Sequence, residues 1–391
     1  MKSKKTLYVL ALGIFGITTT EFGVIGILSD LASAFGVSIE KAGWLLSAFA
    51  IIVAVFGPFT LMLLSSFRRK GLLIFSLLIF AFINIMSAYI HDFYILLLIR
   101  IIPAFFHPVY WSVALSIAEK TVSNEEQSKA AGIIFSGLTV ATVLGVPLST
   151  LISDTIGWQY SFLITAFINL IAAAGVYLYL PSVEYSNQAV QVLYKKVLNS
   201  RLLWINFLLS FLLITAMYST YGYMSDFLKT VTHMNGQQIS LMLLIFGSVG
   251  ILGNKLAGRF MGEFSVSTLA VFIISLLIMH LLIYEYGGLF IPMVWITCFW
   301  GLVHSGGFLI GNINVVTSSK ENPEFINSIF TSCGNFAVTA GTLIGGYWIT
   351  HYGIQSLAWT SVICLILAGG LLLFRNKLTK CSNRSIKIKD I

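Results

Sequence analysis

The stretch LYVLALGIFGITTTEFGVIGIL, Leu7–Leu28, decides how the chain folds. Its length matches the roughly 20 apolar residues that an α-helix needs to cross about 30 Å of hydrocarbon. Inside a bilayer only a helix or a closed barrel satisfies every backbone polar group. One charge sits in the middle, Glu21, preceded by Thr18, Thr19 and Thr20. An acid at the bilayer centre costs roughly 2.5–3.5 kcal/mol, so it requires a partner, a water-filled cavity or a proton. Glu21 is therefore the first candidate for function.

The same kind of stretch recurs along the chain. Of 391 residues, 57% are hydrophobic and 10% charged, against about 25% charged in soluble domains. The pattern predicts an all-α integral membrane protein with twelve transmembrane helices, at about 7–29, 42–66, 71–90, 93–118, 130–152, 159–180, 202–225, 237–259, 266–286, 289–318, 325–350 and 355–375. Outer-membrane strands need only about 9–11 residues in strict alternation, and these runs are longer and do not alternate. A net charge of +8 then belongs to a membrane surface, and no nucleic-acid partner is expected. The lysines near Met1 and the run after them read as a first span, because the run exceeds the roughly 7–15 apolar residues of a cleaved signal. Cys298, Cys333, Cys364 and Cys381 form no C-x-x-C pair, so neither a disulfide framework nor a metal site is expected.

Lysine and arginine orient the spans. With a cytoplasmic amino terminus, the inside segments hold Lys2, Lys4, Lys5, Arg68, Arg69, Lys70, Lys120, Lys129, Lys195, Lys196, Arg201, Lys255, Arg259 and Lys320, plus the basic tail from Arg375. The outside holds only Lys41 and Lys229, so both termini are expected in the cytoplasm of a cell-membrane protein. The polar stretch 181–200 separates a first six-helix bundle, 1–180, from a second, 201–375, followed by the tail 376–391. At an offset of 196 residues Gly57 meets Gly253, Gly145 meets Gly341 and Gly157 meets Gly353. Two parallel repeats with a solute site between them near the midplane fit this echo.

Glu21 and Arg100 fall at comparable depth in the first and fourth helices, which predicts an ion pair or a water-bridged contact between them. Such a pair either locks two helices statically or carries protons: burial raises a carboxyl pKa and a nearby arginine lowers it, so a moving Arg100 would make Glu21 load and release a proton. Arg100, His107 and Trp111 return to one face of the fourth helix, and Pro108 is expected to break that helix locally. In the second half Tyr218, Thr220, Tyr221, Trp300, His304 and Asn312, together with Thr19 and Thr20 in the first, offer rings with polar edges and a few amides, as a small-solute pocket requires. Tyr223, near the outer end, reads as an interfacial belt residue. Gly137, Gly145 and Pro147 mark the fifth helix as closely packed and bent.

Taken together, these stretches resemble the twelve-helix drug/proton antiporter branch of the major facilitator superfamily, and within it the sugar-efflux and purine-nucleoside-efflux permeases. The resemblance runs the length of the chain: Thr19-Thr20-Glu21-Phe22, Arg68-Arg69-Lys70, Arg100 with His107 and Trp111-Ser112, and Gly145-Val146-Pro147, which is similar to the antiporter motif of helix five. It implies an exporter that works by alternating access and exchanges solute for protons. Two departures stand out. The loop after helix two reads Leu64-Ser65-Ser66-Phe67-Arg68-Arg69, without the family's Asp and Gly. Ser149 and Gln159 replace a common Gly and Arg.

Neutral donors and acceptors around a single acid rank sugars or related polar metabolites first as cargo, purines and nucleosides second, amphipathic drugs third. The expected partners are the solute, protons and lipid; the chain is expected to be monomeric and to need no cofactor. An energy-independent facilitator is an alternative. A membrane-embedded enzyme is the reading from another class, disfavoured because neither His107 nor His304 has an acid at helical spacing and no nucleophile setting is visible.

Overall fold

A computed structural model of the chain describes residues 2–64, 67–123, 127–180, 200–318 and 323–389. The predicted linker 181–200 and the loop residues Ser65 and Ser66 lie almost wholly outside them. The described chain is helical: α1 Lys2–Phe35, α2 Ile39–Leu63, α3 Arg69–Tyr89, α4 Phe93–Lys120, α5 Gln127–Val140, α6 Val146–Ile156, α7 Trp158–Tyr179, α8 Arg201–Tyr221, α9 Met224–Thr230, α10 Gly236–Tyr286, α11 Phe290–His304, α12 Gly307–Val316, α13 Pro323–Tyr352 and α14 Ala358–Lys389. Among the described residues, eleven helices are long and apolar enough to cross a membrane. The more polar α13, with Asn327, Thr331, Asn335, Thr339 and Thr342 along it, completes the twelve.

Several boundaries depart from the sequence reading, each for a local reason. The expected tenth span, 289–318, is broken at Ser305-Gly306 into α11 and α12, leaving His304 at a helix end. The seventh breaks after Tyr221 into α8 and α9. The expected eighth and ninth spans share one hydrogen-bonded element, α10. It folds back on itself, since Ala257 and Phe272 both lie against the adjacent residues Gly306 and Gly307. The last helix continues to Lys389 instead of ending near 375, so the basic tail extends it. Pro103 and Pro108 both sit inside an unbroken α4, contrary to the expected break. The bend at Pro147 is taken up one turn earlier: Ala141–Gly145 is a π-helical turn in which the Val146 amide reaches back to the Ala141 carbonyl, as happens where a proline removes a rung of the ladder.

In the first half α1 lies against α5, α6 and α7, while α3 packs on α4 and α7. In the second, α8 lies against α12, α13 and α14. Two seams join the halves, α2 along α13 and α6 along α10, with α9 touching α1. The 196-residue echo is structural. Gly145 is pressed against the Thr19 side chain and Gly341 against the Thr215 carbonyl, and the same offset carries Thr19 onto Thr215. Gly157 and Gly353 both have positive φ, 114° and 78°, and close the corresponding helices.

Candidate functional site

The site begins with Glu21, halfway along α1 and 4% exposed. Its Oε2 lies 3.1 Å from His107 Nε2, a close contact that is not an aligned hydrogen bond. The expected partner, Arg100, is elsewhere. Its Nη2 donates to the Thr20 carbonyl at 2.6 Å, and its guanidinium covers the Phe162 ring at 5.0 Å. Arg100 is 2% exposed, and its Nε and Nη1 have no hydrogen-bond partner among the described residues. The pairing differs because neighbouring helix positions point about 100° apart: the Thr20 carbonyl reaches Arg100 while the next side chain turns to His107.

Thr19 and Thr20 do not reach the space between the halves. Thr19 Oγ1 donates to the Phe15 carbonyl at 2.7 Å and Thr20 Oγ1 to the Gly16 carbonyl at 3.0 Å. Thr20 Oγ1 also accepts from Asn84 Nδ2 at 2.9 Å. With Ser149, Ser161 and Thr165 these threonines line a water-sized cavity inside the first bundle, next to Phe162. Asn84, which lines this cavity, and Asn169, bonded to Thr20 and Thr165 beside it, are residues that sequence reasoning missed, and each leaves its Oδ1 buried without a partner among the described residues. Trp111 packs on Phe135, ring centroids 5.4 Å apart, within the first half.

Across the seam Phe22 meets Tyr218, with centroids 6.0 Å apart. Behind Tyr218 stands an aromatic cluster. Tyr221 stacks on Phe246 at 5.0 Å, and His304 lies 5.0 Å from Tyr221 and 5.2 Å from Phe246. Trp300 meets Phe246 at 5.1 Å, and Phe308 meets Tyr218 at 5.9 Å. The break after His304 is what turns its ring into this group, where its Nδ1 and the Trp300 Nε1 are buried without partners among the described residues.

Two expected solute contacts fall away. Thr220 Oγ1 is 2.8 Å from His280 Nε2 and 3.1 Å from Ser361 Oγ, inside the second bundle. His280 Nδ1 lies 2.7 Å from the Leu276 carbonyl, which makes Nδ1 the protonated nitrogen and leaves Nε2 to accept from Thr220. Asn312 donates to Asn327 Oδ1 at 2.7 Å, away from the cluster. Tyr223 is not a belt residue: it is 1% exposed, donates to the Thr342 carbonyl at 2.7 Å and is wedged against Gly43 and Gly346. Gly137 seats the Ala11 carbonyl of α1, and the Pro147 carbonyl accepts Ser240 Oγ of α10 at 2.8 Å, so the helix-five motif forms part of both a packed interior and a seam.

A buried acid with a half-buried histidine beside it lies in one six-helix bundle, and an aromatic wall stands in the other across a helix-lined seam, which is the plan of a membrane transporter that works between two halves. The Major Facilitator Superfamily family matches residues 10–323, and the chain belongs to that superfamily, whose members are transporters and not enzymes. It is 31% identical over 357 residues, 88% of its length and 89% of the relative's, to the inner membrane transport protein YdhP of Escherichia coli K12. It is 27% identical over 372 residues, 93% and 90% of the two chains, to a probable sugar efflux transporter of Pasteurella multocida. In fold it is similar to a bacterial homologue of the human lysosomal transporter Spinster in an inward-facing, occupied conformation, with a TM-score of 0.79, 14% identity and coverage of 95% and 96%. A point mutant of the nucleoside transporter NupG gives 0.77 at 14% identity, covering 96% and 99%.

Proposed function

We propose that this chain is a proton-coupled exporter of small polar solutes, with sugars or related metabolites first among them. The observation that carries the reading is the buried Glu21, in contact with a titratable histidine and separated from a buried arginine that has no carboxylate within 4 Å among the described residues. A carboxylate here costs several kcal/mol unless something neutralises it. His107 does so in one state, a bound proton in another, and Arg100 lies one helical position away for a third. Coupling follows if solute and proton compete for the state in which Glu21 is ionised.

The solute occupies the space between Glu21 and His107 on one side and Tyr218, Tyr221 and His304 on the other. Hydroxyls of a sugar exchange water for the carboxylate, imidazole and phenol groups, and its apolar ring face rests on the aromatic cluster; each hydroxyl left unpaired would cost roughly 1–3 kcal/mol. The similarity to a probable sugar efflux transporter supports this order. Purines and nucleosides are the second reading, favoured by the parallel stack of Tyr221 on Phe246, interplanar angle 16°, which offers a flat surface to a flat base. The protein works in the inner membrane with cytoplasmic termini, a reading supported by its lysine and arginine distribution and, for the membrane, by its similarity to YdhP.

The test is a panel of labelled sugars, nucleosides and lipophilic cations in proteoliposomes with an imposed pH gradient. Uphill movement of a sugar that collapses with the gradient is expected. Transport that runs only down the solute gradient would make the chain a facilitator, and uphill movement of nucleosides alone would exchange the first cargo for the second.

A further inference from the structure

The face opposite the termini carries a pattern that the solute site does not use. Three carboxylates of the first half each seat on the second half. Asp30, near the end of α1, is held on both oxygens: Ser153 Oγ, in its own half, donates to Oδ2 at 2.6 Å, and Lys229 Nζ of α9 donates to Oδ1 at 2.9 Å. Glu40, in the first turn of α2, accepts from Thr350 Oγ1 of α13 at 2.6 Å, with its Cγ packed on Gly346. Asp154, near the end of α6, lies on Gly236, the first residue of α10, so closely that a Cβ there would collide with its carboxylate. The first turn of a helix presents free amides and favours negative charge.

We propose that Asp30, Glu40 and Asp154 form a three-point latch that holds the two halves closed on the face opposite the termini, and that its release exposes the solute site to that face. In every case the acid belongs to the first half and meets a receptor on the second, and those receptors lie on three different elements, α9, α13 and α10. The contacts therefore resist separation of two bodies and do not stiffen either one. Each is individually weak: Asp30 and Lys229 are 30% and 49% exposed, and solvated ion pairs contribute little. A rim that must open in every cycle needs contacts of this kind, since water takes over each carboxylate as it leaves. Because all three join the same pair of bodies, their effects multiply. If each shifts the closed-to-open ratio about fivefold, the three together shift it about a hundredfold. Tyr223, buried between Gly43 and Gly346 beside Glu40, supplies the packing that the charges bring together.

The test needs neither solute nor proton gradient, so its outcome is separate from that of the transport reading. Spin labels are introduced as noncanonical residues at Ala34 and Gln237, on opposite halves of the closed rim, in the full chain, and distances are measured in lipid nanodiscs. The parent should give one short distance. Asp30→Asn, Glu40→Gln and Asp154→Asn should each raise the fraction at a longer distance about fivefold, and the triple variant should be mostly open. The charge exchange of Asp30→Lys with Lys229→Asp should return the short distance that either change alone loses. An unchanged distribution in the triple variant, with the parent's melting temperature, overturns the proposal. So does a charge exchange that behaves like the single changes, a result that stands even if the triple variant fails to fold.

Discussion

The two halves share a fold but not a chemistry, and the 196-residue offset that superposes their sequences makes the contrast plain. Glu21 corresponds to Met217, and Arg100 to Ile296. In the first half the interior is charged and incompletely satisfied: Arg100 Nε and Nη1, Asn84 Oδ1 and Asn169 Oδ1 are all buried without partners among the described residues. The matching region of the second half carries no charge and holds a cluster of paired hydroxyls, although Thr297 Oγ1, Trp300 Nε1 and His304 Nδ1 are buried there without partners among the described residues. Ser219, Thr220, Thr360 and Ser361 connect with one another and with His280 at 2.8–3.1 Å. Unsatisfied buried groups are costly and are kept where something must bind or move, while a satisfied network rigidifies. On the proposed function, the contrast puts the coupling charge in the first half and a neutral aromatic wall, backed by the paired hydroxyls, in the second.

The strongest way to break this contrast is Glu21→Gln. The amide has the size of the acid but no proton to lose, so solute binding should persist and gradient-driven transport should fall to the passive rate, measured in proteoliposomes with and without a pH jump. Wild-type uphill transport in this variant would remove the charged half from the coupling step. Arg100→Ala comes next. It should lower transport by about tenfold or more, and Arg100→Lys by less, because a point charge keeps the cation but loses the planar fork. Equal loss in both variants would tie the defect to the Phe162 stack, which depends on the plane of the guanidinium and not on its charge.

The second half should respond differently. His280→Ala removes the shortest hydrogen bond of the Thr220 hydroxyl and should cost about 1–3 kcal/mol of stability, read as a lower melting temperature in detergent, with the ratio of solute to proton flux unchanged. A changed ratio would show that the wall takes part in coupling. The smallest expected effect is Tyr218→Phe, which removes one hydroxyl at the seam and should raise the solute KM by about three- to tenfold. Its pH profile should match that of the parent. A shifted profile would move Tyr218 to the charged side of the comparison.

Much of this was legible in the chain itself. The spans were, because a bilayer demands about twenty apolar residues and leaves no other way to satisfy the backbone. So were Glu21 as an acid out of place and the two repeats, whose glycines Gly157 and Gly353 reappear as positive-φ helix ends. Partners were not. Depth along a helix can be counted, so Glu21 and Arg100 could be put at one level. The direction in which each side chain points depends on how two helices are rotated against each other, and that gave Glu21 to His107 and Arg100 to a carbonyl. The chemistry of Thr220 suits a solute ligand, but His280, 60 residues away, occupies its hydroxyl, and no local pattern announces that contact. Tyr223 looked like a belt residue from its place near a span end. It is buried because α2 and α13 close over it, and such closure depends on segments far apart in the chain meeting face to face. Composition and length therefore determined that the chain crosses a membrane as paired six-helix bundles with one acid at their heart. Only packing between distant helices decided what that acid touches, since rotation about a helix axis costs nothing until a neighbour is present.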